Sequence, residues 1–285
     1  MAHHRLKGKK KPRMSETKKH VKKKESKGKM RKKRLISDQK KGMLPNKKTV
    51  ERRVAQAATE GKPKSKGKMD LKKLHTGLYQ AGESILLVGE GNFSFASALC
   101  KHLKTGDGVC ATAHDNEATV QRKYADSKTH RECVEKLGGV TLVGVDATRI
   151  HEVGEFQDFR KIVWNFPHLG AGQADVENSI REHTELLGRF FLSAVKCLSE
   201  EPGSAIHVAL KIGEPYKSWK VVQTARAVCP NLHLQTTVPF AFEAWDGYAH
   251  RRTQGFDERF SKDDSEELKK GAKVYVFVLR TAPEE

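Results

Sequence analysis

SILLVGEGNFSFASAL, residues 84–99, decides how the rest of the chain is read. It runs apolar, breaks at Gly89-Glu90-Gly91, and resumes with apolar residues spaced for a helix. A strand that turns on glycines into a helix predicts the opening βα unit of a doubly wound sheet, because glycine lets the backbone approach a ligand where a side chain would clash. A dinucleotide fingerprint needs a third glycine at position 94, where Ser94 stands, and no P-loop lysine follows. Glu90 beside the turn disfavours a pyrophosphate and suits a ligand carrying positive charge.

Working outward, apolar runs alternate with helical patterns. Strands are expected at SILLV, GVCATAH, TLVGV, KIVWN, SAIHVALK, LHLQTTVPF and KVYVFVL. Between them lie helical stretches FSFASALCKHL, EATVQRKY, KTHRECVEKL, VENSIREHTELLGRFFLSAVKCL and YKSWKVVQTARAV. Residues 176–198 place Ile180, Leu187, Phe190, Phe191, Ala194 and Leu198 on one apolar stripe. The alternation predicts an α/β fold with helices on both faces of a mostly parallel sheet. Only a polar loop separates the last two strands, so they are expected to pair as an antiparallel hairpin. Seven strands ending in such a pair is the Rossmann-like methyltransferase arrangement.

Charge divides the chain at about residue 80. Residues 1–80 hold 29 Lys/Arg against 6 Asp/Glu, and residues 81–285 hold 25 against 29. A basic segment with almost no aromatics cannot offset its chain entropy, so 1–80 is expected to be a disordered tail before one domain at 81–285. Within it, LPNKKTVERRVAQAATEGKP is expected to form one short helix. The clusters KGKKKPR and MRKKR suit nuclear import and phosphate contact. No apolar run approaches the roughly 18 residues of a membrane span. Cys100, Cys110, Cys133, Cys197 and Cys229 lack paired spacing, so neither a metal site nor a disulfide framework is expected, and each reads as a small apolar residue. The chain is expected to be a monomer.

The strand tips carry the candidate chemistry. GVCATAHDNE ends in Asp115, placed where a ribose diol is held, and TLVGVDAT ends in Asp146, placed where an adenine amino group is read. Each acid alone is more often a helix N-cap or a turn residue, but three successive strand tips bearing polar residues toward one edge favour a ligand. The fourth strand ends VWNFPHLGAG, where Asn165, Pro167 and His168 are similar to the Asn/Asp-Pro-Pro-aromatic motif of base methyltransferases. With Glu90, these tips suit S-adenosylmethionine, whose ammonium and sulfonium are cationic.

The pieces ILLVGEGNFSF, NFPHLGAG, LLGRFF, VALKIGEPYKSW and GYAHRRTQG occur in that order over residues 84–255. On them the chain resembles the eukaryotic 25S/28S rRNA (uridine-N(3))-methyltransferase-like family. The resemblance implies S-adenosylmethionine as donor, a uridine in large-subunit rRNA or a pre-ribosomal particle as substrate, and action in the nucleus and nucleolus. It implies donor contacts at Gly89, Glu90, Gly91, Asn92, Phe93 and Ser94, with Asn165, Pro167 and His168 beside the base. Arg251 and Arg252, with His250, are expected to meet phosphate, and Lys211 and Tyr216 to lie on the same rim. The sequence departs from the family at Asn92, where many relatives have Asp, and at Trp245-Asp246, where a Tyr-Pro pair is expected. His168 is the titratable group best placed to manage the imide proton. The competing functions are a non-catalytic RNA-binding assembly factor on the same fold and, against the missing third glycine, an oxidoreductase.

Overall fold

The computed structural model describes residues 70–170, 175–253 and 271–280. The charged clusters of the tail and the short helix expected within it lie outside the described residues.

Strand β1 (Ile85–Val88) is apolar at every position because it is covered on both faces. Alternation then sorts the side chains. Ile85 and Leu87 join Phe95, Leu99 and Val134 in one core, and Leu86 and Val88 join Leu187, Phe190 and Phe191 in the other. The same sorting holds along β4 (Lys161–Asn165), where Val163 faces the first core and Ile162 and Trp164 the second.

The remaining strands are β2 (Val109–Ala113), β3 (Val140–Val143), β5 (Ala205–Lys211), β6 (Leu232–Pro239) and β7 (Ala272–Leu279). Their order in the sheet is β3-β2-β1-β4-β5-β7-β6. β1 pairs parallel with both β2 and β4, and β7 lies antiparallel between β5 and β6. All seven expected strands form, and the final pair is antiparallel as expected. The chain direction across the sheet reverses between β1 and β4, which opens a crevice at their carboxyl ends.

Helices α2 (Ser94–Leu103), α3 (Glu117–Lys123) and α4 (Ser127–Lys136) lie in the first half. In the second half are α5 (Val176–Cys197) and α6 (Val221–Val228). Asp175 caps α5 by accepting from Glu177 N at 3.0 Å. The stretch YKSWKVVQTARAV, expected as one helix, is two. A 3-10 turn (Tyr216–Trp219) precedes α6, with Lys220 at φ 48° between them. The break turns Trp219 inward, where it is wholly buried.

Helix α1 (Leu71–Thr76) belongs to the folded body, although charge counting groups it with the tail. Its His75 is buried, and Nδ1 accepts from Ala241 N at 3.1 Å and Trp245 Nε1 at 2.9 Å. Burial lowers its pKa to about 4, so the ring stays neutral and able to accept. Lys72 and Lys73 hide this anchor in a composition window.

Candidate active site

A cleft of about 260 Å³ lies at the carboxyl ends of β1, β2 and β4. It brings together Gly89, Glu90, Gly91, Asn92, Ser94, Asp115, Asp146, Asn165, His168, His250 and Arg251, all expected from sequence. Five expected residues are not among its lining. Phe93 is wholly buried in the core, with the Arg131 guanidinium 5.6 Å from its ring. Pro167 is buried. Arg252 gives its carbonyl to the Tyr124 hydroxyl at 2.9 Å. Lys211 and Tyr216 face each other, ammonium to ring centre, at 5.8 Å.

The glycine turn is built tightly. Gly89 sits at φ +68°, and a Cβ there would fall 2.4 Å from Trp164 Nε1. Glu90 N donates to Thr112 O of β2 at 2.8 Å, which fixes the turn against the neighbouring strand. The Glu90 carboxylate accepts from Ala96 N at 3.3 Å. Burial pushes its pKa up to about 7, and this hydrogen bond only partly offsets the shift. A carboxylate kept from full ionisation in this way is poised to take a cation.

Asn92 serves the turn as a brace. Its Oδ1 accepts from Ser94 N at 3.2 Å, and its Nδ2 donates to Asp126 at 2.9 Å. Asp126 also accepts from Arg251 at 3.0 Å. Burial alone would raise this carboxyl, but the Arg251 and Asn92 hydrogen bonds hold it below the usual range. Ser94 Oγ donates to Ala249 O at 3.0 Å and accepts from Ala249 N at 3.1 Å. Lys123 Nζ bridges Asp115, at 2.8 Å, to Thr253 O, at 2.9 Å. Residues 249–253 are thus tied across the turn at four points.

Asp146 is a turn residue as well as a cleft residue, its Oδ1 accepting from Thr148 N and Oγ1 at 2.8 Å each. Asn165 is different. Its Nδ2 and Oδ1 are both buried, and neither has a hydrogen-bond partner. An amide left wholly unsatisfied is costly, and a ligand that supplied partners would remove that cost. Phe166 follows at φ 56°. This left-handed conformation is held by ring contacts with Phe240 at 5.1 Å and His250 at 4.8 Å, and it precedes the turn to His168. His168 Nδ1 accepts from Gly170 N at 2.9 Å. That bond needs the Nδ1 lone pair, so the neutral ring carries its proton on Nε2.

Sequence reasoning missed Tyr124, Thr148, Arg189 and Tyr248 as lining residues. Tyr248 stood in the quoted GYAHRRTQG motif and could have been found there. Arg189 reads as the outer face of an amphipathic helix, which it also is. Among the described residues, no three His, Cys, Asp or Glu are grouped to hold a metal ion. No helix among them is long and apolar enough to cross a membrane. All five cysteines are free, and burial pushes the Cys100 thiol up to about 12.

Comparison with known proteins bears on this cleft. An Arabidopsis thaliana protein named heavy metal-associated isoprenylated plant protein 41 is 32% identical, over 62% of this chain and 34% of its own length. The human ferredoxin-fold anticodon-binding domain-containing protein 1 is 33% identical, over 63% and 29%. The chain thus spans about a third of these two relatives. The Saccharomyces cerevisiae 25S rRNA (uridine(2634)-N(3))-methyltransferase is 25% identical over 70% of this chain and 73% of its own. The model of the family rRNA (uridine-N3-)-methyltransferase BTM5-like matches residues 86–252, which carry the glycine turn, Asn165, His168, His250 and Arg251, and the chain belongs to that family.

Proposed function

We propose that this chain transfers a methyl group from S-adenosylmethionine to N3 of a uridine in large-subunit rRNA, acting in the nucleolus. The observation that carries the proposal is Asn165, whose buried and unpartnered amide lines the same cleft as the glycine turn and His168.

The residues present fit the donor. Gly89 and Gly91 keep the floor of the turn free of side chains, Glu90 offers a carboxylate to the cationic end, and Asp115 and Asp146 offer acceptors to ribose and adenine. Gly91 has its own constraint, since a Cβ there would meet the Tyr124 ring at 3.3 Å. When bound, the donor supplies a methyl group already activated on sulfur. The chain must therefore align the acceptor nitrogen and help it lose its proton, and alignment alone removes several kcal/mol of barrier.

Uridine N3 becomes nucleophilic only as the imide anion, whose charge lies largely on the ring carbonyl oxygens. Asn165 Nδ2–H and His168 Nε2–H are donors of the kind that stabilise such an oxyanion, while the N3 proton passes to solvent. His168 thus acts as a hydrogen-bond donor, and the role of proton acceptor suggested by sequence does not suit a ring whose Nδ1 lone pair is spent on Gly170. A fixed N–H also suits uracil, which presents carbonyls beside N3, over cytosine, which presents an amino group. N3 lies on the pairing edge, so the target must be unpaired or flipped out.

Calorimetric titration of the purified chain with S-adenosylmethionine tests the proposal against the non-catalytic alternative. Saturable one-to-one binding that is weakened in Glu90→Gln supports the enzyme. No binding at millimolar donor leaves only an RNA-binding module on this fold.

A further inference from the structure

Behind the Asn165–His168 loop lies a second histidine that neither the sequence motifs nor the proposed chemistry uses. His183, in the second turn of α5, is 3% exposed. Its Nδ1 lies 2.7 Å from Ser179 O, an atom that can only accept, so Nδ1 carries the proton. Its Nε2 then holds a lone pair, and it accepts from Leu169 N at 3.3 Å. One face of the ring stacks on Trp219, centroids 4.3 Å apart and planes 8° from parallel. The His168 ring lies against it at 4.7 Å.

Each of these contacts has a separate structural origin. The bond to Ser179 O is made within α5 and sets the tautomer. The stack is supplied by the 3-10 turn that buries Trp219. The hydrogen bond from Leu169 N leaves the helix, and it reaches the residue between His168 and Gly170. Leu169 itself is exposed at the rim of the cleft, so its own side chain does not anchor the loop.

We infer that His183 is a positioning residue. Held in the Nδ1–H tautomer by α5 and flat against Trp219, it grips the Leu169 amide and so sets where His168 Nε2–H points. The inference rests on the proposed methyl transfer for its kinetic consequence, while the loop geometry it predicts is independent of that reading. A displacement of the His168 ring by an ångström is enough to cost about one to two orders of magnitude in a reaction that depends on alignment.

The informative variant is His183→Phe, which keeps a flat ring to stack on Trp219 and loses the acceptor. His183→Gln is its partner, because the glutamine carbonyl can still accept from Leu169 N. In His183→Phe the Leu169 amide is expected to exchange with solvent at least tenfold faster, whether or not the chain methylates RNA. kcat on unmodified rRNA is expected to fall at least tenfold, with the donor Kd and the KM for RNA within about twofold of the starting chain. His183→Gln is expected to restore both readouts to within about threefold. Unchanged Leu169 exchange in His183→Phe overturns the inference, and so does fast exchange with an unchanged kcat. Equal loss in Phe and Gln variants also overturns it, since packing alone would then explain the effect. A starting chain that shows no methylation while Leu169 exchange responds as expected would sink the proposed activity and leave the anchor standing.

Discussion

At the scale of single residues, the cleft is governed by protonation and hydrogen-bond direction. Glu90 has its pKa raised to about 7 by burial, so it is increasingly neutral as pH falls below that value. A cationic donor binds the ionised form better, so donor affinity is expected to rise with pH up to about 7 and then level off, with a proton released on binding below that point. Glu90→Gln should weaken binding and flatten the profile, which calorimetry in buffers of different ionisation enthalpy reads directly. The sign for the free chain is opposite. A carboxyl whose folded pKa exceeds its unfolded value stabilises fully below about 4.5, and that contribution is lost as pH climbs through 7. His168 gives a second contrast. His168→Ala removes an oxyanion donor and should lower kcat by on the order of a hundredfold, whereas His168→Gln keeps an N–H near the Nε2 position and should retain at least a tenth of the activity. A glutamine variant as inactive as alanine would return the histidine to the role of base. The sequence pointed to His168, which lines the cleft, but could not say which nitrogen is protonated, because Gly170 N sets that through backbone geometry.

At the scale of elements, the two glycines of the first turn do different work. Gly89 is fixed by conformation and space, with a positive φ and Trp164 directly behind it. Gly89→Ala is expected to cost on the order of 2 kcal/mol from the left-handed backbone alone, lowering Tm by roughly 5 °C or more. Gly91 has no such φ, and its added atoms would meet the Tyr124 ring at the cleft wall. Gly91→Val should leave Tm nearly unchanged and weaken donor binding at least tenfold. Thermal melts beside donor titrations separate the two, and a large Tm loss in Gly91→Val would make that glycine structural. The elements themselves were legible because period-two and helical patterns report burial directly. What escaped were features set by partners remote in sequence. Trp219 breaks a helix to reach the α5 core, and α1 is folded because His75 meets Ala241 and Trp245. Asn92, expected as a donor contact, lines the cleft and also braces Asp126, a residue no local pattern connects to it.

At the scale of the whole molecule, a cleft lined by Glu90, Asp115 and Asp146 is joined to a strongly basic segment. Residues 1–69 hold 27 Lys/Arg against 5 Asp/Glu, more than the whole net positive charge of the chain, and phosphate contacts made by such a segment weaken steeply with salt. Deleting them should lower rRNA affinity and flatten its salt dependence while donor affinity is unchanged. An unaltered salt slope would place RNA binding on the folded body alone. The strap at 249–253 bears on this outcome, because Arg251 is already paired with Asp126 and would have to exchange that partner to meet phosphate. Methyl transfer to uridine N3 is tested most directly by its product. Purified chain should be incubated with methyl-labelled S-adenosylmethionine and large-subunit rRNA lacking the modification, and the RNA then digested to nucleosides and separated. The label is expected in uridine methylated on N3, and to disappear with Asn165→Ala. Label in a different nucleoside, or none from a chain that binds the donor, would contradict it.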